Sequence, residues 1–245
     1  MKSSNPVLAR VFDQPGQYLT GDRMSVGGTV NKTGLLLVIA SAVAAYPWSL
    51  LTEARTAELN GLLWGGMIAG FILAVIISFK PTWAPIGAPL YAAAEGLVLG
   101  GISAIMNAAY PGIALQAIAG TFGTLGVMLL LYKTGVMRAT QQFRTGVIAA
   151  TGGVMAIYLL SMALHWFGVS LPFVYGNGLT GILFSVVVAG IAALNLILDF
   201  DLIEQGAKAG APKYMEWVGA FGLMVTMVWL YLEMLRLFSK IRGRN

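Results

Sequence analysis

The side chains of this sequence that are best able to do chemistry are acids inside long apolar segments. Glu95 lies about nine residues into one such segment, roughly 14 Å along a helix, and Asp199 lies about five residues before the end of another. An ionised carboxylate at membrane depth costs roughly 3 kcal/mol or more, so it usually faces a cavity, pairs or stays protonated. Both are therefore candidate sites for a proton or a cation, and we expect Glu95 to face a polar cavity lined by the third, sixth and seventh segments.

Helical spacing separates the acids around Asp199. Asp201 is two residues away and points to nearly the opposite face of a helix, whereas Asn195 shares the face of Asp199. We expect Asp199 to face inward beside Asn195, and Asp201 to reach Gln205 or the start of the next apolar segment, where Glu216 lies. Burial beside a second acid opposes ionisation, so Asp199 with Asp201 or Glu216 could change charge at a pH that cells use.

Structural explanations stand beside these functional ones. Asp201, Glu204 and Glu216 are equally well explained as interfacial residues that flank a loop. Glu233 and Arg236 are spaced as an i, i+3 pair near a helix end, which favours a structural ion pair.

The elements that hold these acids are predicted by composition. Of the 245 residues, 58% are hydrophobic and 10% are charged, against about 25% charged in soluble domains. A membrane span needs about 20 mostly apolar residues. We predict an all-α membrane protein with seven transmembrane helices in contact with the lipid bilayer: Thr33–Thr52, Leu59–Phe79, Ile86–Asn107, Ile113–Tyr132, Thr145–Phe167, Leu179–Glu204 and Tyr214–Phe238.

This division gives a seven-helix transmembrane domain over residues 33–238. Residues 1–32 form a polar segment that we expect to be cytoplasmic and partly disordered, and residues 239–245 form a basic tail. No apolar stretch of a cleaved signal peptide is present in residues 1–32.

Basic residues predict the orientation. The loops on the N-terminal side hold six, namely Lys80, Lys133, Arg138, Arg144, Lys208 and Lys213, and the other loops hold Arg55. Short cytoplasmic loops are enriched in Lys and Arg, so we predict that the N-terminus lies on the inner side of a cytoplasmic membrane. The basic residues near the C-terminus (Arg236, Lys240, Arg242 and Arg244) oppose this placement, so either they are an exception or the last segment does not fully cross.

Several functional classes are excluded by the residues that are missing. The chain has no Cys and one His, His165, so it has no thiol chemistry and no histidine metal cluster. It carries no GxSxG, HExxH or phosphate-binding loop motif, and the last segment has no Lys for a retinal Schiff base. We expect no enzymatic activity and no cofactor. The net charge of +5 suits loop orientation better than nucleic-acid binding.

Three motifs, taken in order, resemble one known family. Asp199-Phe200-Asp201-Leu202-Ile203-Glu204 resembles the Asp-centred motif that ends the sixth helix of the Bax inhibitor-1 family, also called the transmembrane Bax inhibitor motif family. The segment Leu230–Phe238 resembles the closing helix of that family, and Glu95-Gly96 is similar to its Glu-Gly motif in the third helix. Residues 26–33 look like the entry of a bacterial branch.

The resemblance implies seven helices, of which the last is central and wrapped by the other six. It also implies a proton-sensitive calcium leak that an acidic pair on the sixth and seventh helices closes at the cytoplasmic mouth. Asp199 matches the sixth-helix member of that pair. For the other member, Glu233 matches by local motif but lies near the opposite surface, and Glu216 lies on the correct side.

Two functional hypotheses follow. The first is a pH-modulated cation leak through a path formed by Glu95, Asn195, Asp199 and nearby acids. The resemblance to the family implies that the cation is calcium. The second is a membrane regulator of proteolysis or of stress and death signalling that transports nothing and acts through protein partners. A flux measurement on purified protein separates the two.

Overall fold

The structure, a computed structural model, describes residues 23–169 and 171–244. Within these ranges the chain forms seven long α-helices, numbered here α1 to α7: Val26–Thr52, Thr56–Phe79, Ala84–Ala109, Ile113–Lys133, Gln141–Trp166, Leu179–Lys208 and Met215–Arg242. A 3-10 helix, Pro81–Trp83, precedes α3, and a one-turn helix, Pro172–Tyr175, precedes α6. All seven spans are long and apolar enough to cross a membrane, which confirms the predicted fold class.

Local sequence signals explain where several helices begin. Ser25 caps α1, because its hydroxyl accepts a hydrogen bond from the Gly28 N–H at 3.0 Å. Thr140 caps α5 in the same way through the Phe143 N–H. The tight turn before α4 depends on Gly112, whose φ of 83° is a left-handed conformation that glycine adopts at no steric cost.

Four helices (α1, α5, α6 and α7) extend beyond one end of their predicted spans by four residues or more, and α1 and α7 show why. Helix α1 begins at Val26 instead of Thr33, because Ser25 supplies a cap and the polar first turns pack against the start of α7. Helix α7 runs to Arg242 instead of Phe238. The expectation of partial disorder in the N-terminal segment falls largely on residues 1–22, which lie outside the described residues.

The helices alternate in direction, so the bundle has two ends. We call the end where α1, α3, α5 and α7 begin the N-terminal face, and the other end the opposite face. Contacts across loops support this arrangement: Glu216 of α7 meets Ser25 at the N-terminal face, and Arg242 donates to the Pro111 carbonyl, 2.6 Å away, at the opposite face.

Glycines allow the closest helix contacts. A Cβ atom added at Gly96 or Gly100 of α3 would lie 2.6 Å or 2.4 Å from the carbonyl oxygens of Ala40 and Ala44 in α1. A larger residue would push the two backbones apart, which is the usual reason for small residues between membrane helices. The α1–α3 contact is therefore fixed at close range.

Helix α7 is the most buried of the seven spans. It packs extensively against α1, α3, α4 and α6. The prediction that all six other helices wrap it is not confirmed, since α2 and α5 make no comparable contact with it within the described part of the chain. Helices α1 and α4 both flank α7 without packing extensively on one another.

Candidate functional site

Asp199 lies on α6 near the N-terminal face, with its carboxyl group directed toward α7. Its Oδ2 atom is buried and has no hydrogen-bond partner among the described residues. The Thr226 side chain of α7 is a polar neighbour of the carboxyl group. A buried carboxyl oxygen without a partner needs a proton or a cation to offset its burial.

Asn195 shares the helical face of Asp199, but its side-chain amide is already hydrogen-bonded to other groups. Its side-chain amide donates to the Thr151 hydroxyl of α5 at 2.8 Å and to the Ile191 carbonyl at 2.9 Å. These bonds join α6 to α5. Asn195 therefore positions the helix that carries Asp199.

Asp201 points to another side of α6, as its spacing predicts. It forms an ion pair with Arg144 at the start of α5, and the Gln205 amide donates to it at 2.7 Å. The contact with Gln205 agrees with the expectation from sequence. The Arg144 guanidinium neutralises Asp201, so this carboxylate is not the partner of Asp199 in this conformation.

Glu204 is held at the rim of the same face. It accepts a hydrogen bond from the Tyr132 hydroxyl of α4 and forms an ion pair with Lys208 one turn further along α6. Both contacts fasten the end of α6 to its surroundings. Glu204 thus behaves as the loop-flanking residue that the structural explanation describes.

Glu216 is completely buried at the start of α7. It accepts hydrogen bonds from the Ser25 N–H at 2.9 Å, the Ser25 hydroxyl at 2.8 Å and Lys213 at 2.9 Å, and it pairs with Lys32 of α1. The Lys32 ammonium also lies 5.3 Å from the centre of the Trp217 ring. Glu216 is consequently a fully partnered clamp between α1 and α7, and it does not pair with Asp199.

Glu95 takes a different position from the one we expected. Its carboxyl group lies against α2, with Oε1 3.2 Å from the place of a Cβ at Gly70, and Tyr91 is its hydrogen-bonding neighbour. Glu95 does not line either of the two cavities described below. The expectation of a polar cavity formed with α6 and α7 was wrong in this respect, because α3 turns this side chain to α2.

Glu233 lies near the opposite face in a compact polar cluster. Arg236 donates to its Oε1 at 2.8 Å, which is the i, i+3 ion pair predicted from spacing. The Tyr158 hydroxyl of α5 also donates to it at 2.9 Å, and the Arg236 guanidinium lies 4.8 Å from the Tyr158 ring centre. Glu233 is therefore separated from Asp199 along α7 and occupied by its own partners.

A cavity of about 990 Å³ opens at the N-terminal face between α1, α4, α6 and α7. We call it the vestibule. Asp201 and Glu204 line it, together with the basic residues Lys133, Arg138 and Lys208, and apolar side chains form the rest of its wall. Of the predicted site residues, the vestibule thus contains only Asp201 within the described structure.

A second cavity, of about 340 Å³, lies further along the same seam between α1 and α4. Its lining is mainly apolar, with Ser103 and Tyr231 hydrogen-bonded to each other at 2.7 Å on its wall. Leu37 and Met227 line both cavities. These two side chains are the apolar boundary between the vestibule and the second cavity.

Sequence reasoning missed the basic partners of the acids. Arg144, in the first turn of α5, was used only to predict orientation, and Lys32, in the second turn of α1, was assigned to the polar N-terminal segment. Their pairing acids lie 57 and 184 residues away, and helical spacing cannot register such distant pairs. Thr226, beside Asp199, carried no signal beyond being a polar residue in an apolar span.

The seven apolar helices and the acids enclosed between them define a multi-pass α-helical membrane protein. A family model described as Bax inhibitor 1 like matches residues 5–243, so the chain belongs to this family and the resemblance is confirmed. Neither the curated proteins nor the solved structures that were compared with the chain contained a match.

Proposed function

We propose that this protein is a pH-modulated cation leak without a cofactor or enzymatic activity, and that calcium is the ion it carries. The observation that carries the proposal is the Asp199 carboxyl group, with a buried oxygen that finds no partner in the described residues. Calcium prefers oxygen ligands, and a carboxylate beside the Thr226 hydroxyl offers them.

Weak binding is what conduction requires. Within the described ranges, no group of three or more His, Cys, Asp or Glu side chains could hold a metal ion. A single carboxyl group attracts a cation without retaining it, and an ion must be able to leave as well as enter. Asp199 therefore fits a point of passage better than a storage site.

The sign of the pH dependence follows from competition at the Asp199 oxygens. A protonated carboxyl group is neutral and attracts no cation, whereas the ionised group does. Flux should consequently rise with pH. This scheme needs only one acid, so it replaces the pair of acids that we expected Asp199 to form with Asp201 or Glu216. Asp201 and Glu216 are paired with bases instead.

We place the protein in the cytoplasmic membrane with the N-terminal face inside. The basic residues near the C-terminus, which oppose this orientation, are largely engaged within the protein. Arg236 pairs with Glu233, Lys240 is buried, and Arg242 donates to a backbone carbonyl. Cations held in this way contribute less to the charge bias of loops than free ones, which supports the N-in placement.

A non-transporting regulator that acts through membrane protein partners is the second candidate. It is favoured by the pairing of Asp201, Glu204 and Glu216 with basic side chains at the N-terminal face. Such a network ties the helices together and leaves little free negative charge to draw a cation in.

Purified protein in calcium-loaded liposomes tests the leak. We expect a protein-dependent flux that rises between about pH 5 and pH 7, and we expect Asp199→Asn to lower the flux and remove its pH dependence. Asp201→Asn is the matched control, because it makes the same chemical change two residues away on a carboxylate that Arg144 already neutralises. It should keep the pH response.

Two results would contradict the proposal. The first is an Asp199→Asn variant with the full pH response of the unmodified protein. The second is the absence of protein-dependent flux at any pH, which would favour the regulator.

A further inference from the structure

The vestibule combines an apolar wall with a basic rim. Leu125 and Leu129 of α4 and Val30 of α1 contribute apolar surface. At the rim, Lys133 is the last residue of α4 and Arg138 follows in the next loop. Polar groups thus collect at the membrane surface and apolar ones lie deeper. This division matches a molecule with a polar head and a hydrocarbon tail.

The charges at the rim are unevenly compensated. Asp201 is neutralised by Arg144, and Glu204 by Lys208. Lys133 and Arg138 make no ion pair within the described parts of the chain, and both are exposed. The vestibule therefore presents two free cations, and charge complementarity favours an anion.

The position of the vestibule limits what can reach it. It lies in the seam between α1 and α4, which both flank α7 without packing extensively on each other. In the hydrocarbon region such a seam faces lipid chains, and water is excluded from its apolar part. A bilayer lipid can enter sideways, whereas a soluble anion meets only the rim.

We propose that the vestibule binds one anionic phospholipid, with its phosphate at Lys133 and Arg138 and an acyl chain along α4 toward Leu37 and Met227. Arginine and lysine are the usual phosphate ligands, and arginine can donate two parallel hydrogen bonds. The volume of about 990 Å³ is at the upper end of ligand pockets. This inference does not depend on the proposed leak.

Gly34 offers a way to fill the site without disturbing the fold. It lines the vestibule, and a Cβ at this position would have no atom within 4 Å. Leucine is also a better helix former than glycine. Gly34→Leu should therefore fold normally while it occupies the space of the acyl chain. Gly61→Leu on α2 is the matched control, since Gly61 also meets open space but lies outside the vestibule.

Native mass spectrometry of the full chain, after reconstitution with equal amounts of phosphatidylglycerol and phosphatidylcholine, measures the retained lipid. We expect one phosphatidylglycerol to be retained in preference. The double variant Lys133→Gln/Arg138→Gln should weaken its retention about 30-fold, on the usual contribution of two basic residues near a membrane surface. The control variant Lys80→Gln/Arg23→Gln removes two cations that lie on the same face but outside the vestibule. It should still retain phosphatidylglycerol, as should Gly61→Leu.

Three outcomes would overturn the proposal: equal retention of the two lipids, unchanged retention in the Lys133/Arg138 or Gly34→Leu variant, or saturation of the site by inorganic phosphate alone. Cross-linking of the vestibule to the chain's own residues 1–22 with no lipid retained would overturn it as well, because that segment would then be the occupant.

Discussion

At the scale of single residues, the clamp around Glu216 depends on a glycine. A Cβ at Gly28 would lie 2.1 Å from Glu216 Oε1 and 2.3 Å from its Cδ. The carboxylate cannot move away without losing Ser25, Lys32 or Lys213, which hold it from three sides. The first turn of α1 therefore has room for the buried charge only while position 28 lacks a side chain.

We expect Gly28→Ala to destabilise the protein by about 1–3 kcal/mol, the usual cost of forcing an extra methyl group into a packed site. The free energy of unfolding in detergent measures this effect. Gly27→Ala is the control, because a Cβ there meets no atom within 4 Å, and it should be neutral or slightly stabilising. Equal stability of the two variants would show that the clamp is looser than its geometry indicates.

Individual side chains were only partly predictable from the sequence. The opposite directions of Asp199 and Asp201 and the Glu233–Arg236 pair depend on spacing within one helix, and the structure contains both features. The basic partners of Asp201 and Glu216 lie on neighbouring helices, and the Glu95 carboxyl group faces α2. Choosing among them requires the rotation of each helix about its axis, which apolar spans with no polar stripe do not specify.

At the scale of helices, Lys240 fastens the end of α7 to the loop before α6. Its ammonium group is buried and donates to the carbonyls of Val174 at 2.7 Å and Gly181 at 3.0 Å, and to the Ser185 hydroxyl at 2.9 Å. One side chain thus joins α7, the one-turn helix Pro172–Tyr175 and the start of α6. Its three N–H donors are matched by three acceptors.

Lys240→Met should loosen this connection, because methionine fills similar space but donates no hydrogen bond. We expect amide hydrogen exchange of residues 173–176 to increase about tenfold or more, since hydrogen bonds from charged groups are worth roughly 1.5–3 kcal/mol each. Lys208→Met, at a largely exposed lysine of α6, should leave this exchange unchanged. Unchanged exchange in both variants would mean that the one-turn helix is held by its own packing.

Helix existence was easier to predict than helix ends. Seven apolar stretches bounded by polar, Gly or Pro residues located the spans. Hydropathy did not include the polar first turns of α1 and the basic last turn of α7 in the predicted helices. Their polar groups are hydrogen-bonded or paired within the protein, by Glu216 and by the acceptors of Lys240. A transfer scale counts such residues as if water were their only partner.

At the scale of the whole molecule, orientation is testable because the chain has no cysteine. Val136 and Asn177 are exposed and lie at the N-terminal and the opposite face, respectively. We expect an impermeant thiol reagent to label a cysteine at 177 in intact cells and to label one at 136 only after lysis. Labelling at 136 but not at 177 in intact cells would invert the topology and place the vestibule outside.

The placement of α7 has a consequence for how the protein is made. Lys32 and Glu216 are 184 residues apart, so at about 5–20 residues per second the lysine enters the membrane surface about 10–40 s before its carboxylate is synthesised. Tyr158 of α5 and Ser103 of α3 likewise precede their α7 partners. The nascent bundle must therefore keep a place open for its most buried helix, and a quality-control protease could recognise these unmatched polar groups as the mark of an unfinished chain.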